Sequence, residues 1–330
     1  MSQPVPFIQL AQEDAAAIRQ SLITGLQAAP PRVDPKFFYD RLGSCLFEAI
    51  TELDEYYPTR TEAGIVETHA AQMARTIPPD AVLIDLGAGN CAKAARLFPD
   101  LSPAAYIAVD ISVDFLRDAL GTLRRQYPAL PLLGLGLDFA DNLVLPPEVL
   151  AWLDAQGLAG APRCVLYPGS SIGNFLPAAA QRLLAQVQAV CAGGGPGGGL
   201  LIGVDRVKAP AVLEAAYDDA LGVTAAFNRN LLRHVNRWLG SDFAPARWRH
   251  VAFYNTAQER IEMHLEAIDA QTVRWPGGER HFSAGERLHT ENSCKWTADR
   301  FAALLRAAGF DPAAPWSDAR DWFSVFWARA

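Results

Sequence analysis

Short apolar runs alternate with amphipathic segments through the first two-thirds of the chain. The apolar runs have the length of buried strands, and the segments between them repeat apolar residues at helical spacing. Strands are predicted at 81–86, 105–110, 131–137, 163–168 and 199–205, and helices at 91–98, 112–126 and 177–192. Alternating strands and helices favour a parallel sheet with helices on both faces. This part of the chain therefore predicts a doubly wound α/β fold.

The last third of the chain shows a different pattern. Residues 208–250 have a helical pattern rich in aromatic residues and arginines, and residues 251–294 alternate polar and apolar positions as antiparallel strands do. We therefore predict that 206–294 is an inserted α+β domain, whereas 1–205 and 295–330 together form the sheet domain.

Other segments have simpler patterns. Helices are predicted at 10–28, 62–76 and 297–308, and the glycine-rich run 193–199 is predicted to be a flexible surface turn. The apolar run 322–328 is predicted to be a strand that rejoins the main sheet.

Composition narrows the class of protein. A chain of 330 residues with 50% hydrophobic and 20% charged residues is typical of a globular enzyme. The net charge of −7, without a basic stripe, argues against nucleic-acid binding. The five cysteines form no metal-ligand or CxxC pattern, and no apolar run is long enough to span a membrane. We expect a cytoplasmic monomer with no metal, no membrane contact and no nucleic-acid partner.

The clearest chemical signal lies where the first predicted strand ends. The apolar run is followed by Asp85 and then by a turn that contains Gly87 and Gly89. Glycines allow a tight turn and a close approach of the backbone to a ligand. The second predicted strand ends at Asp110, where a carboxylate can accept hydrogen bonds from a ribose diol. The pattern predicts a cofactor that contains a nucleoside.

Two cofactors use such a turn, a nicotinamide dinucleotide and S-adenosylmethionine (SAM). Ala92 replaces the third glycine of the dinucleotide pattern, and Lys93 can pair with the carboxylate of a methionine. Asp138 and Phe139 end the third predicted strand, where they can bind the adenine amino group and cover the ring. These features favour SAM, while a nicotinamide dehydrogenase remains the least favoured alternative.

The fourth predicted strand leads into a polar turn, Gly169–Asn174. The turn offers glycines, hydroxyl groups and an amide at the carboxyl end of a central strand. Small-molecule substrates of doubly wound sheets bind at such ends. We therefore predict that an acceptor substrate binds here.

Further segments, spread over almost the whole chain, complete a family resemblance. They are Phe38–Asp40 with Gly43-Ser44, Glu55–Arg60, Ala216–Asp219, Phe227–Asn230, Glu259–Met263 and Thr290–Lys295. With these segments and the Gly-rich turn, the chain resembles the SAM-dependent histidine Nα-methyltransferases of ergothioneine biosynthesis, which form hercynine. One difference is Leu137, where a glycine is common before the Asp-Phe pair.

The resemblance implies a Rossmann-like class I methyltransferase core with an inserted α+β substrate-recognition domain. The residues predicted to bind the cofactor, with Gly89 added from the turn itself, are Tyr39, Gly87, Gly89, Lys93, Asp110, Asp138 and Phe139. The residues that would bind histidine are Tyr56, Gly169, Asn174, Tyr217, Met263, Glu291 and Ser293.

The implied residue types suit methyl transfer to an amine. The reaction is an in-line displacement that depends mainly on positioning, and the amine must be neutral to attack. Tyr39 and Tyr56 are predicted to be catalytic, as hydrogen-bond partners of the amine or parts of a water-linked proton path. After three transfers the nitrogen has no lone pair, so the reaction stops.

The other implied contacts divide by chemistry. Asn174 and Tyr217 would bind the substrate carboxylate, whereas Glu291 and Ser293 would hold the two imidazole nitrogens, with Met263 against the ring. Two alternatives remain open. One is methylation of another amino acid or a small amine, and the other is a non-catalytic SAM-binding protein.

Overall fold

The computed structural model describes residues 4–10, 15–140 and 142–330. The strands of the described residues are β1 (Phe7–Gln9), β2 (Val82–Leu86), β3 (Ala105–Asp110), β4 (Leu132–Gly136), β5 (Pro162–Tyr167), β6 (Gly195–Asp205), β7 (Trp248–Asn255), β8 (Arg260–Ala267), β9 (Gln271–Trp275), β10 (Gly278–Phe282), β11 (Arg287–Cys294), β12 (Asp311–Pro312), β13 (Trp316–Ser317) and β14 (Phe323–Arg329).

The helices within the same residues are α1 (Ala15–Gln27), α2 (Arg41–Thr51), α3 (Tyr57–Thr76), α4 (Ala92–Ala95), α5 (Phe98–Leu101), α6 (Val113–Gln126), α7 (Pro147–Ala155), α8 (Pro177–Ala192), α9 (Pro210–Ala215), α10 (Val223–Leu239) and α11 (Ala298–Ala307). Short 3-10 turns lie at Pro35–Phe38, Ser171–Asn174 and Pro245–Arg247. Of the predicted helix 10–28, residues 11–14 lie outside the described residues.

The chain forms two compact units. We call the described residues of 1–11, 58–207 and 295–330 the sheet unit, and those of 12–57 and 208–294 the α+β unit. No helix of the described residues is both long and apolar enough to cross a membrane.

The sheet unit contains one large sheet in the order β1-β4-β3-β2-β5-β6-β14-β12. Neighbouring strands from β1 to β6 are parallel, and β14 runs antiparallel to β6. From β2 the chain proceeds outward through β3 and β4 on one side, and through β5 and β6 on the other. The prediction of a doubly wound sheet is confirmed, as is the return of the last strand to it. Ligands bind outside the carboxyl ends of the strands at such a reversal.

The strands can be recognised in the sequence because they are buried along their whole length and so consist mostly of apolar residues. All five residues of β2 are buried, and so are the first five of β3, as expected for strands covered on both faces. Helix α6 turns Leu116, Leu120 and Leu123 toward the core, at positions i, i+4 and i+7 of one helical face. Each such buried side chain contributes about 1.5–3 kcal/mol relative to an exposed one.

Two predictions about local structure are wrong. The helix predicted over 91–98 is divided into α4 and the start of α5, and Pro99 occupies the first turn of α5, where no backbone N–H is required. The predicted surface turn 193–199 is a strand from Gly195 onward. A Cβ at Gly199 would lie 2.5 Å from the carbonyl oxygen of Ala328, so close packing of backbones explains the glycine.

The two ends of the predicted insertion meet in the sheet unit. Arg206 and Trp296 form an isolated parallel bridge, and the Val207 N–H donates to the Trp296 carbonyl at 3.3 Å. Next to this bridge, the Lys295 Nζ lies 2.7 Å from the Asp205 Oδ2, and both side chains are buried.

The α+β unit contains a three-stranded antiparallel sheet, β11-β8-β7, and the hairpin β9-β10. The predicted strands of 251–294 are therefore present. The domain boundaries differ from the predicted ones at 12–57, because this segment packs within the α+β unit. The Phe38 and Phe227 rings stack at 4.5 Å, and the Asn230 Nδ2 donates to the Asp40 Oδ1 at 2.8 Å.

Candidate functional site

The Gly-rich turn of the sheet unit is tied to Asp110. Gly87 and Gly89 have positive φ angles of 67° and 52°, which favour glycine. The Gly89 N–H donates to Asp110 Oδ2 at 2.9 Å, and the Ser112 N–H donates to Oδ1 at 2.8 Å. Burial raises the pKa of Asp110, although these backbone N–H groups oppose the shift. Each carboxylate oxygen keeps a lone pair that can accept from a ribose hydroxyl.

Phe139 and Asp138 follow β4 at the same edge of the sheet. A Cβ at Gly87 would meet the Phe139 Cζ at 4.0 Å, so the aromatic ring lies beside the turn. Phe139 makes an edge contact with Tyr167, with 5.8 Å between ring centroids. The Asp138 Oδ1 accepts from the Ala140 N–H at 3.2 Å. The structure thus brings Phe139 to the glycine turn, with Asp138 directly before it in the chain.

Lys93 and Gly169 share a partner that the sequence pattern did not identify. The Lys93 Nζ lies 3.5 Å from the Glu62 Oε2, and the Gly169 N–H donates to the two oxygens of Glu62 at 2.8 and 2.9 Å. Glu62 belongs to α3, on the same face as the buried Ile65. The sequence feature that could have identified Glu62 is an acidic residue on the apolar face of a predicted helix.

Asp85, near the carboxyl end of β2, is a second buried acidic residue at the same edge of the sheet as Glu62. The Tyr106 hydroxyl donates to the Asp85 Oδ2 at 2.6 Å, whereas Oδ1 has no hydrogen-bond partner within the described part of the chain. Burial raises the pKa of Asp85 to about 7, against the opposing effects of Tyr106 and Lys93. The carboxyl group therefore changes its charge near neutral pH.

The α+β unit gathers five of the residues predicted to bind the substrate. The Tyr217 hydroxyl donates to the Ser293 Oγ at 2.7 Å, and the Tyr217 and Tyr56 rings lie 6.4 Å apart. Glu291 and Ser293 are two residues apart on β11, so they share a face. Met263 on β8 is directly opposite Glu291, which places their side chains on the same face.

The remaining predicted residues divide between the units. Tyr39 belongs to the α+β unit, where its ring contacts Phe47 at 5.8 Å and Phe227 at 5.9 Å. Gly169 and Asn174 belong to the sheet unit, Asn174 in the 3-10 turn after β5. The ligand roles of all these residues stay predictions.

Tyr217 is held by a histidine that the sequence pattern missed. The Asn228 Nδ2 donates to the His264 carbonyl at 3.0 Å and therefore also acts as the donor to the His250 Nδ1, at 2.8 Å. The proton of the His250 ring must then be on Nε2, which donates to the Tyr217 carbonyl at 2.8 Å. Burial lowers the pKa of His250, which keeps this neutral form.

Another cluster in the α+β unit has metal-ligand residue types. Ligand atoms of Glu262, His264 and His289 lie within 4.8 Å of one another. Arg260 and Asn255 already donate to the Glu262 Oε1, at 2.9 Å each. The His264 Nδ1 is buried without a partner among the described residues, whereas a metal-bound histidine normally donates its other ring N–H. The cluster fits a hydrogen-bonded network better, and the prediction of no metal stays a prediction.

The cluster leads to a prediction about pH. Burial, with a smaller effect of His289, lowers the pKa of His264 to about 4, although Glu262 raises it. Between about pH 4 and about pH 6.5, the imidazole of His264 is therefore protonated in the unfolded chain, whose histidine pKa is near 6.5, but neutral in the folded chain. The contribution of His264 to the free energy of unfolding should therefore fall by about 2–3 kcal/mol as the pH falls from about 6.5 to about 4, whereas the raised pKa of Asp85 acts in the opposite direction over the same range.

Denaturant titrations at several pH values measure this dependence. The difference in stability between the wild type and His264→Phe should change by this amount over the range, because phenylalanine does not titrate and can stack on Phe253 as the imidazole does. The matched control is His281→Phe, at an exposed position of β10. An unchanged pH dependence in His264→Phe would contradict the assignment.

Comparisons with known proteins identify the family of this chain. Residues 18–330 match the model of a family described as histidine-specific, SAM-dependent methyltransferases. The chain is 40% identical over 316 residues to the Histidine N-alpha-methyltransferase of Mycolicibacterium smegmatis, covering 94% of each chain. It is 38% identical over 314 residues to the protein of the same name from Mycobacterium tuberculosis, covering 93% of each. It is also 30% identical to Ergothioneine biosynthesis protein 1 of Neurospora crassa, covering 87% of this chain and 32% of that protein.

The doubly wound sheet with its antiparallel last strand and its Gly-rich turn is the core of a class I SAM-dependent methyltransferase. The sheet order confirms the predicted fold class, and the family match confirms the predicted enzyme class and cofactor. The chain belongs to the histidine-specific, SAM-dependent methyltransferase family.

Proposed function

We propose that this enzyme transfers methyl groups from SAM to the α-amino nitrogen of L-histidine, giving the trimethylated betaine hercynine for ergothioneine biosynthesis. The observation that carries the proposal is the cluster of Tyr56, Tyr217, Met263, Glu291 and Ser293 in the α+β unit. The relatives named for histidine methylation and for ergothioneine biosynthesis support the same substrate.

The cluster suits an amino acid with a polar ring. The Glu291 carboxylate can accept from a ring N–H, and the Ser293 hydroxyl, which accepts from Tyr217, can donate to the other ring nitrogen. Met263 is buried and offers a polarisable apolar surface for the flat face of the ring. An amino acid with an apolar side chain would leave Glu291 without a ring donor.

The sheet unit suits the cofactor. SAM, when bound, supplies a methyl group activated by the positive charge on sulfur. Gly87 and Gly89 present backbone without side chains, and Asp110 keeps lone pairs for a ribose diol. Lys93 offers an ammonium group to the carboxylate of the methionine part, and Phe139 offers a flat surface to adenine. These groups bind and orient, which is the main requirement of a displacement at an activated methyl group.

Tyr56 and Tyr39 are the proposed partners of the reacting amine. Both rings lie in an aromatic group with Phe47 between them, since Phe47 contacts Tyr39 at 5.8 Å and Tyr56 at 6.2 Å. Such a wall disfavours the ammonium form of the substrate by desolvation, while the ring faces stabilise the product cation by about 1–2 kcal/mol. We also propose that the enzyme is cytoplasmic, binds no nucleic acid and acts as a monomer. Size-exclusion chromatography with light scattering would measure the oligomeric state.

Mass spectrometry tests the proposed reaction. The purified protein is incubated with SAM and, separately, with histidine, tryptophan, tyrosine and a simple amine. We expect histidine alone to gain three methyl groups, with mono- and dimethylated intermediates early in the reaction. A product only on another amino acid would replace histidine as the substrate. SAM binding without any methylated product would favour the non-catalytic alternative.

A further inference from the structure

A buried carboxylate joins the two predicted ligand groups of the sheet unit. Glu62 is 5% exposed, and its two oxygens accept the Gly169 N–H while Oε2 also pairs with Lys93. Lys93 is predicted to bind the cofactor, and Gly169 is predicted to bind the substrate. The same carboxylate therefore fixes a cation at α4 and the backbone at the end of β5.

Glycines provide the room for this ion pair. A Cβ at Gly169 would lie 2.5 Å from the Lys93 Nζ, and a Cβ at Gly203 of β6 would lie 2.0 Å from the Glu62 Oε1. Both distances are too short for real contacts, so a larger residue at either position would displace a charged group. The positive φ of 78° at Gly169 also favours glycine. The turn after β5 and the adjacent strand β6 are thus shaped around the carboxylate and the ammonium group.

The difference in exposure between the two partners explains why the lysine needs an anchor. The side chain of Lys93 is 36% exposed, so it has room to move into solvent, whereas that of Glu62 is 7% exposed. Asp85 and Asp110 contribute further acidic groups nearby, and both Lys93 and Glu62 act on the charge of Asp85. Glu62, buried and held by the Gly169 N–H, is the more constrained member of the pair, and it orients the partly exposed lysine.

We propose that Glu62 is a positioning residue of this methyltransferase, which sets the Lys93 ammonium group for the carboxylate at the amino-acid end of the cofactor. This inference rests on the proposed function for the role of Lys93. A preset ammonium group loses less conformational freedom when the carboxylate binds. The effect of Glu62 should therefore depend on whether the ligand carries that carboxylate.

Two cofactor analogues separate positioning from a merely structural role. S-adenosylhomocysteine keeps the amino-acid end, and 5′-methylthioadenosine lacks it. In Glu62→Gln, calorimetry should show about 3- to 10-fold weaker binding of S-adenosylhomocysteine, the scale of ordering one flexible side chain on binding. Binding of 5′-methylthioadenosine should change by less than about 2-fold. The amide of glutamine retains an oxygen for the Gly169 N–H, so the fold should be preserved.

Two further variants complete the test. Lys93→Met should show the same selective loss, and the double variant should be no weaker than Lys93→Met alone, because the two residues act as one unit. The matched control is Glu67→Gln, an exposed glutamate on the same helix. If Glu62→Gln does not fold, Glu62→Asp, which keeps the charge but loses reach, should give the same selective loss.

The outcomes are distinct from those of the substrate assay. Equal weakening of both analogues, or no weakening of either, would overturn the positioning role. The binding measurements contain no histidine, so the proposed substrate can fail while the selective loss in Glu62→Gln persists. Histidine methylation with unselective binding losses would refute the inference and leave the proposed function intact.

Discussion

Replacing Lys295 with methionine should lower the free energy of unfolding by about 3–5 kcal/mol, the cost of leaving one member of a buried ion pair without its partner. The Lys295 Nζ lies 2.7 Å from the Asp205 Oδ2, and the two side chains are 0% and 1% exposed. Methionine has similar length but no charge, so the Asp205 carboxylate would be buried without its cation. Guanidinium titrations followed by circular dichroism and tryptophan fluorescence measure the loss.

Second-site and surface variants control this experiment. Adding Asp205→Leu to Lys295→Met should recover most of the lost stability, because apolar residues of similar volume can replace a buried ion pair. Arg274→Met breaks an exposed pair with Glu279, whose side chains are each 63% exposed, and should change stability by less than about 1 kcal/mol. A similarly small change in Lys295→Met would show that the buried pair contributes little.

Replacing Glu291 with alanine should reduce kcat/KM for histidine roughly 30- to 150-fold, with most of the change in the KM for histidine. The size corresponds to the loss of one charged hydrogen bond, about 2–3 kcal/mol. Glu291 is 8% exposed on β11 and shares a face with Ser293, so water replaces its contact poorly. Steady-state kinetics with histidine and with SAM as the varied substrate measure the effect.

The selectivity of the Glu291→Ala effect distinguishes recognition from general damage. Binding of S-adenosylhomocysteine should stay within about 2-fold of the wild-type value, and the melting temperature confirms that the variant is folded. Glu279→Ala, at an exposed position of β10, is the matched control. Equal effects on the kinetic constants for histidine and SAM would refute the assignment of Glu291 to the imidazole ring.

The sheet could be predicted because its local patterns are strong. Strand β3 occupies 105–110 and helix α8 occupies 177–192, both as predicted, since one is a continuous apolar run and the other an uninterrupted helical pattern. The assignment of 12–57 to the α+β unit could not be predicted. It depends on contacts between distant residues, such as Asp40 with Asn230, which leave no local periodicity.

The candidate site also contains residues that the sequence predicts and residues that it does not. The positions of Gly87, Gly89 and Asp110 follow from glycine chemistry and strand spacing, and the structure brings them together. Glu291 needed the family resemblance, because the local pattern alone suggests a solvated carboxylate on a strand. Glu62 was missed, since its importance comes from burial and from a backbone N–H more than a hundred positions away.

The bridge between Arg206 and Trp296 has a consequence for how this chain can vary. The polypeptide leaves the sheet unit and returns to it at adjacent points, joined there by the bond from Val207 to Trp296. The entropy of closing a loop depends on the distance between its ends and only weakly on its length. A chimaera that exchanges the segment between these points should therefore retain the strand order of the sheet, provided that 12–57, which packs with 208–294, is exchanged together with it.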